Sequence, residues 1–115
     1  MRLADVQFST HRQAVVAQVS GEIDLSNVEN IERALVEATP NHLLTLVLDL
    51  TDLDYLDSAG IQLIYKLREN LRARGQRLRL VIPSTSPAND ALRLAGVKRH
   101  VETIETVDHA LRELP

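Results

Sequence analysis

The 115-residue sequence contains no cysteine and three aromatic residues, Phe8, Tyr55 and Tyr65. Without a thiol, the chain has no disulfide framework, thiolate metal site or cysteine nucleophile, so its stability must come from packing. So few aromatic rings provide no stacking platform for single-stranded nucleic acid. The formal net charge of −3 also opposes nonspecific binding to phosphate backbones, which relies on clustered positive charge. Nucleic acid is therefore not an expected partner.

Long apolar runs are missing as well. The longest strongly apolar stretch, from Leu43 to Leu48, is interrupted by Thr45 and is far shorter than the roughly 20 residues that a membrane-spanning helix needs. The first residues lack the apolar segment of a secretory signal. These absences predict a soluble, cytoplasmic protein without a membrane partner.

The motifs of nucleotide binding and catalysis are also absent. The sequence contains neither G-x-x-x-x-G-K-[S/T] nor G-x-G-x-x-G, so it has no recognisable phosphate-binding loop. Its histidines are scattered over predicted turns and helix ends, which does not favour a base or a metal ligand. The aspartates between Asp49 and Asp57 are interpreted as a solvated acidic loop rather than a magnesium site. We therefore expect no cofactor, no metal and no enzymatic activity.

The apolar pattern predicts an α/β fold within one domain, residues 1–115, with the element order β-β-α-β-α-β-α-β-α. The chain opens with a predicted hairpin, and strands then alternate with helices, which is typical of a largely parallel sheet with the hairpin strand at an edge. The predicted strands include Ala14 to Val19, Leu43 to Leu50, Leu78 to Ile82 and Val101 to Ile104.

Several residues mark predicted element ends. Gly21 is expected to end the second strand, and Ser26 with Glu29 has the spacing of a capping box at the first helix. Ser86 and Thr106 are predicted to cap the two later helices. The basic side chains between Lys66 and Arg79 are interpreted as solvated.

Functional sites of such sheets lie where loops leave the carboxyl ends of strands, which directs attention to the segments Gly21 to Ser26 and Thr51 to Ser58. Ser58 precedes a helical pattern, and two interpretations are open. Its hydroxyl can cap the helix, with Asp57 favoured by the helix dipole, and this is the simpler interpretation. Alternatively, the hydroxyl is presented at the surface, where a phosphate at a helix N-terminus is tolerated.

At these residues the sequence resembles the STAS domain family, specifically bacterial anti-sigma factor antagonists. Two motifs and a late helix carry the resemblance: Asp57-Ser58-Ala59-Gly60 after Leu53-Asp54-Tyr55-Leu56, the segment Gly21-Glu22-Ile23-Asp24, and Leu92-Arg93-Leu94-Ala95-Gly96-Val97. Many members carry Ser or Thr where this chain has Ala59, which removes a second hydroxyl and leaves Ser58.

The resemblance implies a STAS fold and a phosphoprotein that regulates transcription by partner switching. Unmodified protein binds an anti-sigma factor that is also an ATP-dependent serine kinase, phosphorylation of Ser58 breaks the complex, and a serine phosphatase restores it. The resemblance assigns phosphorylation to Ser58 and partner binding to Glu22, Asp24, Asp54, Tyr55, Asp57, Ser58, Ala59 and Gly60.

Alternatives remain open. The chain could be a non-phosphorylated STAS subunit of a lipid-transport ABC complex or of a sensory, stressosome-like assembly, although its own Met1 favours an antagonist over the STAS tail of an anion transporter. A serine hydrolase is not favoured, because Leu56 stands where the nucleophile elbow G-x-S-x-G needs its first glycine. Nothing in the sequence indicates oligomerisation, so a monomer is expected.

Overall fold

Six strands and four α-helices form residues 4–113, the part of the chain that the computed structural model describes. The strands are β1 (Asp5–His11), β2 (Ala14–Ile23), β3 (Thr45–Asp49), β4 (Leu53–Leu56), β5 (Arg77–Val81) and β6 (Glu102–Ile104). The helices are α1 (Val28–Glu37), α2 (Ser58–Ala73), α3 (Pro87–Leu94) and α4 (Val107–Arg112), and a short 3-10 turn spans Val97–Arg99. No helix within residues 4–113 combines the length and apolar character needed to cross a membrane.

The strands form one sheet in the order β1-β2-β3-β5-β6, and β4 pairs with β2 outside this row. β1 and β2 are antiparallel, and all other pairs are parallel. The predicted fold class, a largely parallel sheet with the hairpin strand at an edge, is confirmed. Because parallel strands are joined by crossovers, the carboxyl ends of β2 and β4 come to the same edge of the sheet.

β2 is longer than predicted and changes its partner halfway along. Its residues Ala14 to Gln18 pair with β3, whereas Gly21 to Ile23 pair with β4, after a register shift between Gly21 and Glu22. Gly21 has a φ of 90°, which glycine adopts without strain, so it bends the strand instead of ending it. The segment Thr51 to Ser58, predicted to be a loop, contains β4. Two adjacent residues of this four-residue strand, Asp54 and Tyr55, are exposed, so it lacks the alternation that marks a strand in a sequence.

The core lies mainly between the sheet and helices α1, α2 and α3, and a smaller apolar cluster lies under α4. The predicted apolar face of α2 is buried, at Gly60, Ile64, Leu67 and Leu71. Alternate residues of β2 face the two clusters: Val15 and Ala17 belong to the larger one and Val16 to the smaller one. β2 and β3 are therefore covered on both faces, as expected of a parallel sheet.

Two of the predicted helix caps are confirmed. The Ser86 hydroxyl accepts from the N–H of Ala88, and the Thr106 hydroxyl accepts from the N–H of His109. The predicted capping box at α1 is wrong, since the helix begins at Val28 with Asn27 at its N-cap and no side-chain cap. The serine that was expected to cap α1 instead contacts the preceding aspartate, as described below.

Arg79 is an exception to the expected solvated basic side chains. Its side chain is 2% exposed, and its guanidinium donates to both carboxylate oxygens of Glu102, each at 2.9 Å. It also donates to the carbonyl oxygen of Ala110 at 2.7 Å and to the Glu113 carboxylate at 3.2 Å. These bonds connect β5 to β6 and to both the middle and the end of α4, so Arg79 is a structural residue.

We expect Arg79→Met to lower the free energy of unfolding by about 2–3 kcal/mol, because it removes hydrogen bonds to charged groups. Arg77→Met is the matched control: Arg77 lies on the same strand, its side chain is exposed, and it approaches Glu102 at 3.7 Å. The control should cost less than about 0.5 kcal/mol. Urea denaturation measures both, and equal losses would contradict the structural role of Arg79.

Candidate functional site

The two loops singled out in the sequence meet at one edge of the sheet, beyond the carboxyl ends of β2 and β4. The backbone N–H of Asp57 donates to the carbonyl of Ile23 at 3.2 Å. In the other direction, the N–H of Leu25 donates to the Asp57 carboxylate at 3.3 Å. We call this surface the β2–β4 edge and define it by Glu22, Asp24, Leu25, Asp54, Tyr55, Asp57 and Ser58.

Asp57, and not Ser58, caps helix α2. One Asp57 carboxylate oxygen accepts from the N–H of Ala59 at 2.9 Å and from the N–H of Gly60 at 3.1 Å. Ser58 is the first residue of the helix. The simpler interpretation of Ser58 as the cap is therefore wrong, and the reason is that an adjacent carboxylate reaches the same amides. Asp57 also places a negative charge at the positive end of the helix, which stabilises it.

The Ser58 side chain does not cap the helix. The residue is exposed, and its hydroxyl makes no hydrogen bond to any other residue in the range 4–113. Its Oγ is thus open to solvent at the start of a helix whose first free amides are already bonded to Asp57. A group attached to this oxygen would project outward and would not disturb the cap or the core.

Asp24 lies at the centre of a hydrogen-bonded loop. Its carboxylate accepts from the backbone N–H and the hydroxyl of Ser26. Its own N–H donates to the side-chain oxygen of Asn27 at 3.0 Å, and the side-chain amide of Asn27 donates to the carbonyl of Glu22 at 2.8 Å. The bonds from the hydroxyl and N–H of Ser26 hold the pKa of Asp24 below its ordinary value. Asp24 is therefore a carboxylate in a defined position, ionised to a lower pH than a free aspartate.

The predicted loop ended at Ser26 and did not include Asn27, and the bond from Ser26 to Asp24 was not predicted. The spacing of Ser26 and Glu29 predicts a capping box, but short polar side chains also bond to neighbouring groups in turns. The run Asp24-Leu25-Ser26-Asn27 has the composition of such a turn. That composition was the signal that could have identified the loop.

The rest of the β2–β4 edge combines acidic and apolar side chains. Glu22 and Tyr55 are partners in the parallel register of β2 and β4, and Tyr55 is 50% exposed. Asp54 is exposed beside Tyr55. Leu25, which the sequence analysis did not single out, is 79% exposed and follows Asp24 directly. The β2–β4 edge thus presents an exposed leucine and an exposed tyrosine together with acidic side chains.

Gly60 supports this edge from below and does not lie on its surface. It is buried, and a Cβ atom at this position would come within 2.5 Å of Leu56 Cδ1, 2.9 Å of Leu56 Cγ and 3.2 Å of Ile23 Cγ2. The absence of a side chain thus allows the first turn of α2 to approach β4 and β2 closely. This approach places Asp57, directly before the helix, within hydrogen-bonding distance of Leu25 in the loop that holds Asp24. Ala59, which lies between Ser58 and Gly60, is half-buried.

The described residues do not indicate a metal centre. Within residues 4–113, no three acidic or histidine side chains are grouped so that they could hold a metal ion. A groove of about 980 Å³ lies near the opposite ends of β2 and β3, bordered by the β1–β2 turn and α4. The β2–β4 edge is separate from that groove.

Comparisons with known proteins agree with the geometry. The family model of the STAS domain matches residues 5–110. Osmosensory protein A from Mycobacterium tuberculosis is 37% identical over 89 residues, which cover 74% of this chain and 51% of that protein. Anti-sigma-F factor antagonist RsfB from the same organism is 26% identical over 107 residues, which cover 92% of this chain and 85% of that protein.

Among solved structures, an anti-sigma factor antagonist from Mycobacterium paratuberculosis superposes with a TM-score of 0.81 at 25% identity, covering 96% of this chain and 92% of that one. This chain spans about half the length of Osmosensory protein A and most of the length of the other two proteins. The match of the family model extends over nearly all of the described residues. The chain therefore belongs to the STAS domain family, as the motif around Ser58 predicted.

Proposed function

We propose that this protein is an anti-sigma factor antagonist that works in the cytoplasm and is switched by phosphorylation of Ser58. In this proposal the unmodified β2–β4 edge binds an anti-sigma factor and thereby frees a sigma factor. The observation that carries the proposal is the exposed Ser58 hydroxyl, which has no capping role and lies next to fixed acidic side chains. The similarity to RsfB and to the solved antagonist supports the same assignment.

The switch would act through charge. A phosphate adds about −1.5 to −2 charges at neutral pH. The amides of Ala59 and Gly60, which could otherwise receive it, are bonded to Asp57. The added charge would therefore join the carboxylates of Asp24 and Asp57 on the same surface. A partner surface fitted to a neutral hydroxyl would meet a larger and more negative group, and like charges brought together at an interface cost several kcal/mol.

The chemistry itself would be supplied by the partner. In the transfer, the bond between the γ-phosphorus of ATP and its bridging oxygen breaks, and a bond forms between that phosphorus and Ser58 Oγ. The hydroxyl proton leaves to a base of the kinase, and ADP is the second product. A serine phosphatase would then hydrolyse the phosphoserine with water, which returns the hydroxyl and inorganic phosphate. The chain is the substrate of both steps and the enzyme in neither.

Mutations can distinguish the capping role of Asp57 from the proposed switch role of Ser58. Asp57→Ala should lower the free energy of unfolding by about 1–2 kcal/mol, because it removes the N-cap of α2 and the bond to Leu25. Ser58→Ala should change it by less than about 0.5 kcal/mol. Chemical denaturation followed by circular dichroism measures both. A larger loss for Ser58→Ala than for Asp57→Ala would contradict the assignment of the cap.

A second prediction concerns partner binding. Ser58→Asp should weaken binding to the cognate anti-sigma factor at least tenfold, because the added charge approximates part of a phosphate. Ser58→Ala should bind as the unmodified protein does and should accept no phosphate from the kinase and ATP. Titration calorimetry measures the affinities, and mass spectrometry locates the phosphate.

Asn41→Asp is the matched control for the added charge. Asn41 is exposed and lies before β3, at the opposite end of the sheet, where its side chain accepts from Arg74. This variant should leave the affinity unchanged. Equal binding by Ser58→Asp and the unmodified protein would contradict the charge mechanism, and the absence of phosphate at Ser58 would contradict the switch itself.

A third prediction tests Asp24. Asp24→Ala should lower the partner affinity about three- to tenfold and leave the melting temperature within about 2 °C, since the exposed loop contributes little to the core. Glu37→Gln removes one charge from the exposed end of α1 and serves as the control with no effect on binding. Unchanged affinity of Asp24→Ala would exclude Asp24 from the contact.

A second candidate function rests on the similarity to Osmosensory protein A, which is 37% identical in the aligned region. In this case the chain would be a STAS module of a sensory assembly that binds its partners without phosphorylation. The two candidates differ in the mass-spectrometric experiment: phosphate at Ser58 after incubation with the kinase and ATP favours the antagonist, and an unmodified Ser58 with retained partner binding favours the sensory module.

A further inference from the structure

β1 is an edge strand: within residues 4–113, β2 is the one strand that pairs with it. It lies at the end of the sheet with β2 as its neighbour, and six of its seven residues are exposed, with Val6 half-buried. Phe8 is 44% exposed at the middle of the strand. β1 contains neither lysine nor proline, the residues by which proteins commonly prevent edge strands from pairing with other chains. The strand is therefore free to accept another strand.

The hairpin register determines which backbone groups point outward. β1 and β2 are joined by a two-residue turn, so His11 and Ala14 form the first hydrogen-bonded pair. Because hydrogen-bonded and non-hydrogen-bonded pairs alternate in an antiparallel ladder, Asp5, Gln7, Ser9 and His11 direct their N–H and C=O groups toward β2. Val6, Phe8 and Thr10 direct theirs away from the sheet.

We propose that β1 pairs antiparallel with β1 of a second copy of this chain, with the two-fold axis at Phe8. In this register Phe8 lies opposite Phe8, and Val6 lies opposite Thr10, so that all the outward backbone groups meet outward groups. The alternation gives about six backbone hydrogen bonds between the two copies. A shift of two residues in either direction would leave one end of each strand unpaired, so this register is the one that uses all seven residues.

The side chains are self-complementary in the same register. Residues that lie opposite each other project to the same face, so the two exposed Phe8 rings would contact each other across the axis. On the other face, Asp5 of each copy would lie opposite His11 of the other, a carboxylate acceptor against a ring that can donate an N–H. Gln7 would lie opposite Ser9. The residues near one end of β1 thus complement those near its other end. For this reason we propose a second copy of this chain, and not a different protein, as the partner of β1.

The proposed dimer is independent of the proposed function, because it uses the outer side of β1 and not the β2–β4 edge. It differs from the monomer expected from the sequence. A seven-residue strand pair is a small contact, so the dimer should be weak and should depend on concentration. The two sheets would join into one continuous sheet through the pair of β1 strands.

Sedimentation velocity of the full chain over a range from about 1 to 500 µM tests the proposal, since weak interfaces dissociate in this range. We expect a monomer–dimer equilibrium. Phe8→Pro removes an outward N–H that has no partner in β2, so the monomer should keep its fold while dimerisation weakens at least tenfold. Phe8→Thr keeps that N–H and should weaken dimerisation less than Phe8→Pro does. Circular dichroism checks the fold of each variant.

A charge exchange provides a second test that does not depend on Phe8. His11→Asp would place two aspartates opposite each other at both ends and should weaken the dimer. The double variant Asp5→His with His11→Asp restores the pair in reverse order and should recover the dimer. A monomer at every concentration, a dimer unaffected by Phe8→Pro, or failure of the double variant to recover what His11→Asp loses would overturn the proposed pairing.

Discussion

The pairing of β4 with the last residues of β2 is the constraint on which the site depends. β2 ends its contact with β3 at Gln18 and continues beyond Gly21 beside β4. Since both strands run in the same direction, the loop that follows β2 and the helix that follows β4 begin side by side. Gly60 completes this arrangement, because a residue without a side chain allows the first turn of α2 to pack directly on Leu56 and Ile23.

Asp57 caps helix α2, so the neighbouring Ser58 is not needed as the cap. The Asp57 carboxylate caps α2 with one oxygen and receives the N–H of Leu25 with the other, so one side chain holds both the helix and the neighbouring loop. Ser58 then begins the helix with an exposed hydroxyl. A chemical change at Ser58 can alter the charge of the surface without loss of the cap. In the proposed switch, phosphorylation of Ser58 would therefore change the surface without destabilising the start of α2.

Most of the architecture could be predicted from local pattern. The largely aliphatic run Leu43 to Leu50 predicted a central strand, which the structure places at Thr45–Asp49. The apolar spacing after Ser58 predicted α2, and Ser86 and Thr106 predicted helix starts that the structure confirms. The errors occur where two residues compete for one task. Ser26 had the spacing of a cap but bonds to Asp24, and Ser58 had the composition of a cap but stands one residue inside the helix.

By itself, the sequence determined the fold class, the family and the two loops of the site, because apolar periodicity and short motifs are properties of neighbouring residues. Only the tertiary structure decided that Asp57 caps α2, that Gly60 is buried against Leu56, and that Arg79 is buried and bonded to Glu102. These facts depend on contacts between distant segments or on the choice among adjacent polar groups. A local pattern allows such contacts, and packing in three dimensions selects among them.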